Sequence, residues 1–282
     1  MSTPTVGVTP PRVMTIAGTD SGGGAGAAAD LRALEACGAH GCVAVTAVTV
    51  QNSVGVTGVH PIPPEIVAAQ IVAVATDIGL DAAKTGMLAN REIIEAIVGA
   101  FDKVGIGGDG PTPLVVDPVA ASMHGDPLLA ESALDVFRNQ LFPRAMLVTP
   151  NLDEVRLLVG IDVHDRAAQH EAAKVLHGLG PRFVLVKGGH LREDTDTCVD
   201  VLYDGHNAVE LPGPRFDTGN THGGGDNMAS AIAAGLARGL PVPDAVALAK
   251  RYIIEAVRHS YPLGSGHGPV SPLWTVQPWW TS

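Results

Sequence analysis

Several things are scarce in this chain, and each scarcity excludes a class. Basic residues are outnumbered: Lys+Arg total 18 against 29 Asp+Glu, a net charge of −11. That balance, with no long basic run, argues against a nucleic-acid groove as the main business. No apolar stretch approaches the roughly 18 residues of a membrane span. The first residues, MSTPTVGVTPPR, lack the charged and apolar regions of a secretory signal. They read as a short flexible leader over 1–11. The three cysteines, Cys37, Cys42 and Cys198, make no CxxC pair. An odd, unpaired set fits a reducing, cytoplasmic setting. Aromatics are only 4% of the chain.

Glycine is abundant instead. There are 34 among 282 residues, against about 20 at average usage. No Gly-X-Y period exists, which excludes collagen. High apolar content and the lack of long polar tracts disfavour disorder. Functional loops remain, so the location of the glycines matters.

Strand and helix patterns alternate along the chain. Strands are expected at 12–18, 41–52, 81–88, 113–119, 145–151 and 183–190. The 41–52 segment is apolar on both faces, as for a strand covered on each side. Helices are expected at 25–38, 63–79, 90–105, 129–141, 151–160, 167–180, 223–239 and 243–260. Residues 198–211 suggest an edge hairpin turning at Asp204-Gly205. The fold class is therefore α/β: a central, mostly parallel sheet layered between helices, in one domain over 12–282.

Ligands of open α/β sheets bind at the carboxyl ends of the strands. The residues just past each strand include Gly18 to Gly26 with Asp30, then Gln51, Lys84, Met87, Asp117, Asn151, Glu154 and Lys187. Gly223-Gly224-Gly225-Asp226 precede a late helix. The first glycine loop lacks the Lys-Ser/Thr of a phosphate-binding P-loop and the ribose-binding acid of a dinucleotide fold. It is either a close-packing turn or a ligand contact. The second loop opens a helix whose N–H groups form an anion site. Asp226 is either a helix-stabilising acid or a general base. Asn151 and Glu154 form a capping box, or Glu154 joins Asp117 in holding Mg²⁺. Lys187 is either a solvated lysine or a phosphate contact. The histidines at 40, 60, 124, 164, 170, 177, 206 and 259 show no metal spacing and read as surface or packing residues.

Taken together, these loops resemble the hydroxymethylpyrimidine/phosphomethylpyrimidine kinases of thiamine biosynthesis, within the ribokinase-like superfamily. The likeness runs over about 12–273. It rests on IAGTDSGGGAG with Asp30, TAVTVQN, KTGML, Asp117-Pro118-Val119, Gly125-Asp126-Pro127-Leu128-Leu129, TPNLDE, Lys187-Gly188-Gly189-His190 and THGGGD. The resemblance implies a ribokinase-like fold and two ATP-dependent phosphorylations of one pyrimidine, on the hydroxymethyl group and then on the monophosphate. It implies that Gly18, Asp30, Gln51, Met87 and Val119 hold the pyrimidine. Asp117 and Glu154 would hold Mg²⁺, and Lys187, with Asn151 and Glu154 beside it, would face ATP. Gly223, Gly224, Gly225 and Asp226 would supply the anion hole and base.

One departure stands out. The family usually has Gly-Thr-Gly-Cys where this chain has Gly-Gly-Gly-Asp. Aspartate there is common in the sugar and pyridoxal kinases of the superfamily, so a pyridoxal or pyridoxine kinase is the alternative. A pyrimidine- or nucleotide-binding sensor without turnover is a lesser one. The expected partners are a small pyrimidine and a second copy of the chain, forming a dimer, with no nucleic acid and no membrane. Trp274, Trp279 and Trp280, with the edge hairpin, serve an interface or cover the core. The glycines at 264–268 have no assigned role.

Overall fold

The computed structural model describes residues 7–119, 133–189, 191 and 196–276. His124, the Gly125–Leu129 motif, His190, Trp279, Trp280, the start of the 129–141 helix and leader residues 1–6 lie outside the described residues.

The chain runs β1 (Arg12–Ala17), α1 (Gly26–Ala36), β2 (His40–Val45), β3 (Ala47–Asn52), β4 (Gly55–Pro61), α2 (Pro64–Asp77), β5 (Ala82–Thr85) and α3 (Arg91–Val104). It continues through β6 (Leu114–Val116), the short α4 (Leu134–Val136), β7 (Leu147–Val148), α5 (Leu152–Val159), α6 (Arg166–His177) and β8 (Phe183–Val186). It closes with β9 (Thr197–Tyr203), β10 (Ala208–Pro214), α7 (Gly224–Ala237) and α8 (Val242–Arg258). Eight strands form one sheet in the order β10-β9-β8-β7-β6-β5-β1-β2. From β2 to β8 the pairings are parallel, and β9 and β10 add an antiparallel edge.

A parallel sheet must be covered on both faces, and successive residues of β1 show how. Met14 and Ile16 face one core, packed with α2, α3, α5 and α6 through Ile71, Ile93, Leu158 and Leu176. Val13 faces the other, with Leu34 of α1 and the small side chains of α7 and α8. Small residues let these helices approach closely. A Cβ at Gly235 of α7 would lie 2.9 Å from the Ala245 Cβ of α8. At the end of α8, the Trp274 ring stacks on His259, with centroids 5.5 Å apart.

The expected strand at 41–52 is in fact two. The chain leaves the sheet at Thr46, whose Oγ1 donates to the Met87 carbonyl at 2.6 Å. The Thr46 N–H still bonds Ala17, but β3 then pairs only with β4, antiparallel. Ala47 and Thr49 are buried while Val48 and Val50 are exposed. This is a half-covered ribbon at the carboxyl end of the sheet, not a strand covered on both faces. The edge hairpin matches its expected turn, where Asp204 Oδ1 accepts from the His206 and Asn207 N–H groups. Its second strand runs on to Pro214.

Candidate active site

Each loop at the sheet's carboxyl end is fixed by its own chemistry. β1 ends at Gly18, and the Asp20 carboxylate gathers the N–H groups of Gly22, Gly24 and Ala25 at 2.8–2.9 Å. β6 ends at Asp117, whose Oδ1 accepts from Thr149 Oγ1 at 2.7 Å and Lys187 Nζ at 2.9 Å. α5 opens with a reciprocal capping box. Asn151 Oδ1 accepts from the Glu154 N–H, and Glu154 Oε2 from the Asn151 N–H. Capping and site placement are therefore compatible roles for this pair.

Gly223 caps α7 with φ 73°, a backbone shape that favours glycine. A Cβ there would meet the Gly24 carbonyl at 2.0 Å, so the two glycine loops touch backbone to backbone. The Gly224 N–H donates to Thr221. Asn227 is the first helical N–H to bond back, to Gly223. The Gly225 and Asp226 N–H groups therefore have no intrahelical acceptor. They point from the positive end of the helix dipole. A Cβ at Gly225 would lie 3.0 Å from Lys187 Nζ, which places the lysine beside this turn.

Asp226 is tied to Lys84. Lys84 is fully buried on β5, with Nζ 3.1 Å from Asp226 Oδ1 and 2.8 and 2.9 Å from both oxygens of Asp30. The sequence spacing places Lys84 at the rim but gives no reason to pair it with residues 54 and 142 positions away.

Burial and charge set the protonation of the group. Burial pushes Glu154 up to about 8, against the pull of Lys187. Burial also works to raise Asp117, but Lys187 and Lys84 outweigh it and hold its carboxyl below the usual range. Desolvation opposes the Lys187 charge, yet Asp117 and Glu154 hold its pKa above that of an ordinary lysine.

A cavity of about 460 Å³ joins these parts. Gln51, Val119, Asp117, Asn151, Glu154, Lys187, Gly223, Gly224, Gly225 and Asp226 all line it, as the sequence leads one to expect. Gly18, Asp30 and Met87 do not. Gly18 and Met87 pack against each other: a Cβ at Gly18 would touch the Met87 Cε at 3.2 Å, and the Gly18 carbonyl is occupied by the Ala27 N–H. Asp30 lies deeper. It is fully buried and already accepts from Thr15 Oγ1, Ser230 Oγ and twice from Lys84. Its carboxylate has no exposed oxygen to offer a pyrimidine, because its position on α1 turns it toward the sheet and α7.

The other end of the cavity was not legible in the sequence. Pro214, Phe216, Ile253, Ile254 and Val257 form an apolar wall there, beside the Lys250–Asp200 ion pair at 2.7 Å. The edge hairpin is thus part of the site wall. Among the described residues, no group of three or more His, Cys, Asp or Glu forms a metal cage. No described helix is long and apolar enough to cross a membrane.

The chain is similar to known proteins in sequence and fold. The family model for phosphomethylpyrimidine kinase matches residues 20–271. The hydroxymethylpyrimidine/phosphomethylpyrimidine kinase of Mycobacterium tuberculosis H37Rv is 59% identical over 270 residues, covering 96% of each chain. The pyridoxal kinase of Bacillus subtilis, solved with ADP, superposes with TM-score 0.86 at 34% identity, covering 95% of this chain and 99% of that one. The phosphomethylpyrimidine kinase of Clostridium difficile 630 superposes with TM-score 0.76 at 37% identity, covering 88% and 99%. With its sheet order, paired glycine loops and rim of carboxylates and lysines, the chain belongs to the phosphomethylpyrimidine kinase family.

Proposed function

We propose that this chain is an ATP-dependent kinase that converts 4-amino-5-hydroxymethyl-2-methylpyrimidine to its monophosphate and then to the diphosphate, supplying thiamine biosynthesis. The observation that carries the reading is the start of α7. There the Asp226 carboxylate stands beside two N–H groups without intrahelical acceptors, in a cavity that also holds Lys187. This is the equipment for moving a phosphoryl group: a proton acceptor, an anion cradle and a cation. Asp226 takes the proton of the attacking hydroxyl. The Gly225 and Asp226 N–H groups take the charge on the phosphoryl oxygens. Lys187 holds the nucleotide phosphates, and the apolar wall at Phe216 and Ile254 takes the base. Gln51 presents an amide to the aminopyrimidine edge, with Val119, and with Met87 and Gly18 shaping the wall behind.

Asp117 and Glu154 suit Mg²⁺. They are buried oxygen donors, each commits one oxygen to protein partners, and both line the cavity. Magnesium uses one or two carboxylates and fills its remaining positions with water and phosphate. When bound it neutralises charge on the transferring phosphate.

The two acceptors differ in their need for a base. The alcohol must lose a proton, whereas a phosphate monoester is largely ionised near pH 7, its second pKa being about 6. Asp226→Asn is therefore expected to slow the first step by about 10²–10⁴ and the second far less. Equal losses on both acceptors refute the base assignment. Pyridoxal is the second acceptor reading, favoured by Asp226 itself and by the likeness to the Bacillus subtilis enzyme. ATP consumption with hydroxymethylpyrimidine and pyridoxal side by side separates the two. The enzyme would work in the cytoplasm as one catalytic domain over 12–282. A dimer through the β3–β4 ribbon suits its exposed Val48, Val50 and Val59, and a monomeric sedimentation coefficient would refute that assembly.

A further inference from the structure

His222 and the glycines at 264–268 have no part in that scheme, yet they meet at its most sensitive point. His222 Nε2 lies 3.0 Å from Asp20 Oδ2, with side-chain exposures of 12% and 2%. The same oxygen accepts from the Gly24 and Ala25 N–H groups. Because a carboxylate only accepts, Nε2 is the donor. The His222 backbone is held on both sides by the C-terminal loop: its N–H donates to Gly268 and its carbonyl accepts from Val270, each at 3.1 Å. That loop reaches on to the β3–β4 ribbon, where Gly266 and His267 N–H groups bond Ser53. A Cβ at Gly266 would overlap the Ser53 carbonyl at 1.8 Å.

Between His222 and Asp226 there are three glycines and therefore no side chain. Within that stretch only backbone atoms are held, the Gly224 N–H by Thr221 and the Gly223 carbonyl by Asn227, and glycine is the freest of residues. The last side chain before the run is His222. Donors of an anion hole act only when held near the productive geometry, and a displacement of about 1 Å costs on the order of 10²-fold in rate. Among the described residues, two side-chain contacts tie this turn to the first glycine loop: a long one from the Gly26 N–H to Asp226 Oδ2 at 3.4 Å, and the shorter His222–Asp20 contact at 3.0 Å, which spans 202 residues. A Cβ at Gly24 would strike the imidazole at 2.5 Å, so the fit leaves no slack.

We propose that His222 is a positioning residue, whose hydrogen bond to Asp20 latches the two glycine loops together and so places the anion-binding N–H groups of Gly225 and Asp226. The 264–268 loop is the backstop of this latch and carries it to the ribbon that bears Gln51. The proposal rests on the kinase reading for its rate consequences, but not for its structural ones.

The test uses His222→Ala, His222→Gln and Asp20→Ala in the full chain. Two readouts are taken: kcat and KM for both acceptors, and amide hydrogen exchange at 223–226 without substrate. A Gln amide nitrogen donates from nearly the reach of Nε2 and serves as the conservative variant. In His222→Ala, kcat is expected to fall about 30- to 100-fold on both acceptors, with KM within about threefold. Exchange at 223–226 rises. His222→Gln recovers most of both, and Asp20→Ala behaves like His222→Ala. The idea is overturned if folded His222→Ala keeps its kcat, or if Gln is no better than Ala. It is also overturned if Asp20→Ala keeps kcat while His222→Ala loses it, which makes the imidazole a direct phosphate contact. Should Asp20→Ala fail to fold, the Ala/Gln pair decides. Lack of turnover by the unmodified chain would refute the kinase reading, while unchanged exchange in His222→Ala would refute the latch.

Discussion

Removing the Lys84 ammonium tests the buried charge cluster beneath Asp226. Met is close to Lys in volume, so Lys84→Met isolates the charge from packing. In the native site, Lys84 is fully buried between Asp30 and Asp226. Without it, Asp30 keeps only the Thr15 and Ser230 hydroxyls as donors. Stripping one partner from a buried ion pair costs about 3–5 kcal/mol. That is a large share of the roughly 5–15 kcal/mol of a typical domain. The loss should depend on pH with a definite sign. Burial pushes Asp30 up to about 6 even against the pull of Lys84, and losing Lys84 pushes it higher. A carboxyl whose folded pKa exceeds its unfolded one, near 3.9, loses stability as pH rises between the two. Lys84→Met should therefore be less damaged at pH 5 than at pH 8. Adding Asp30→Asn removes the stranded charge and should restore most of the stability. It should not restore activity, because Asp226 still lacks its tether. Urea unfolding of the unmodified chain and the two variants at both pH values reads this out. A loss below about 1 kcal/mol for Lys84→Met, or a double variant no more stable than the single, refutes the argument.

Gly223→Ala places a Cβ 2.0 Å from the Gly24 carbonyl at φ 73°. It should cost about 2 kcal/mol or more and damage both phosphorylation steps. Gly99→Ala, at an exposed position of α3 with nothing within 4 Å, is the neutral control; equal effects in urea midpoint and rate would show that the loop contact is not limiting. Glu154, raised to about 8 by burial, must lose its proton to hold Mg²⁺. The Mg²⁺ concentration for half-maximal rate should therefore fall up to about tenfold from pH 7 to pH 9, and Glu154→Gln should flatten that slope. A Mg²⁺ requirement independent of pH in the unmodified enzyme would remove Glu154 from the metal site.

The two glycine loops were legible because glycine is required where they touch, at Gly24 and Gly223. The capping box was legible because its two partners are three residues apart. The burial of Asp30 was not legible, because a position just past the first glycine loop does not say which face of α1 it occupies, and the helix turns it inward. The split at Thr46 was hidden because a β-branched run reads the same whether it stays in a sheet or leaves it. What ends β2 is a hydroxyl bond to Met87, 41 residues away. The Lys250–Asp200 wall was equally out of reach, since 50 residues separate its partners. Local chemistry announces itself in sequence, while long-range ion pairs do not.

The scarcity of aromatics has a practical side. All three tryptophans fall between positions 274 and 280, and Trp274 is stacked on His259 at the end of α8. Trp274 does not line the cavity, so its emission senses an occupant there only indirectly. Phe216, which lines the cavity, is the natural place to install a single tryptophan that sees the nucleotide arrive.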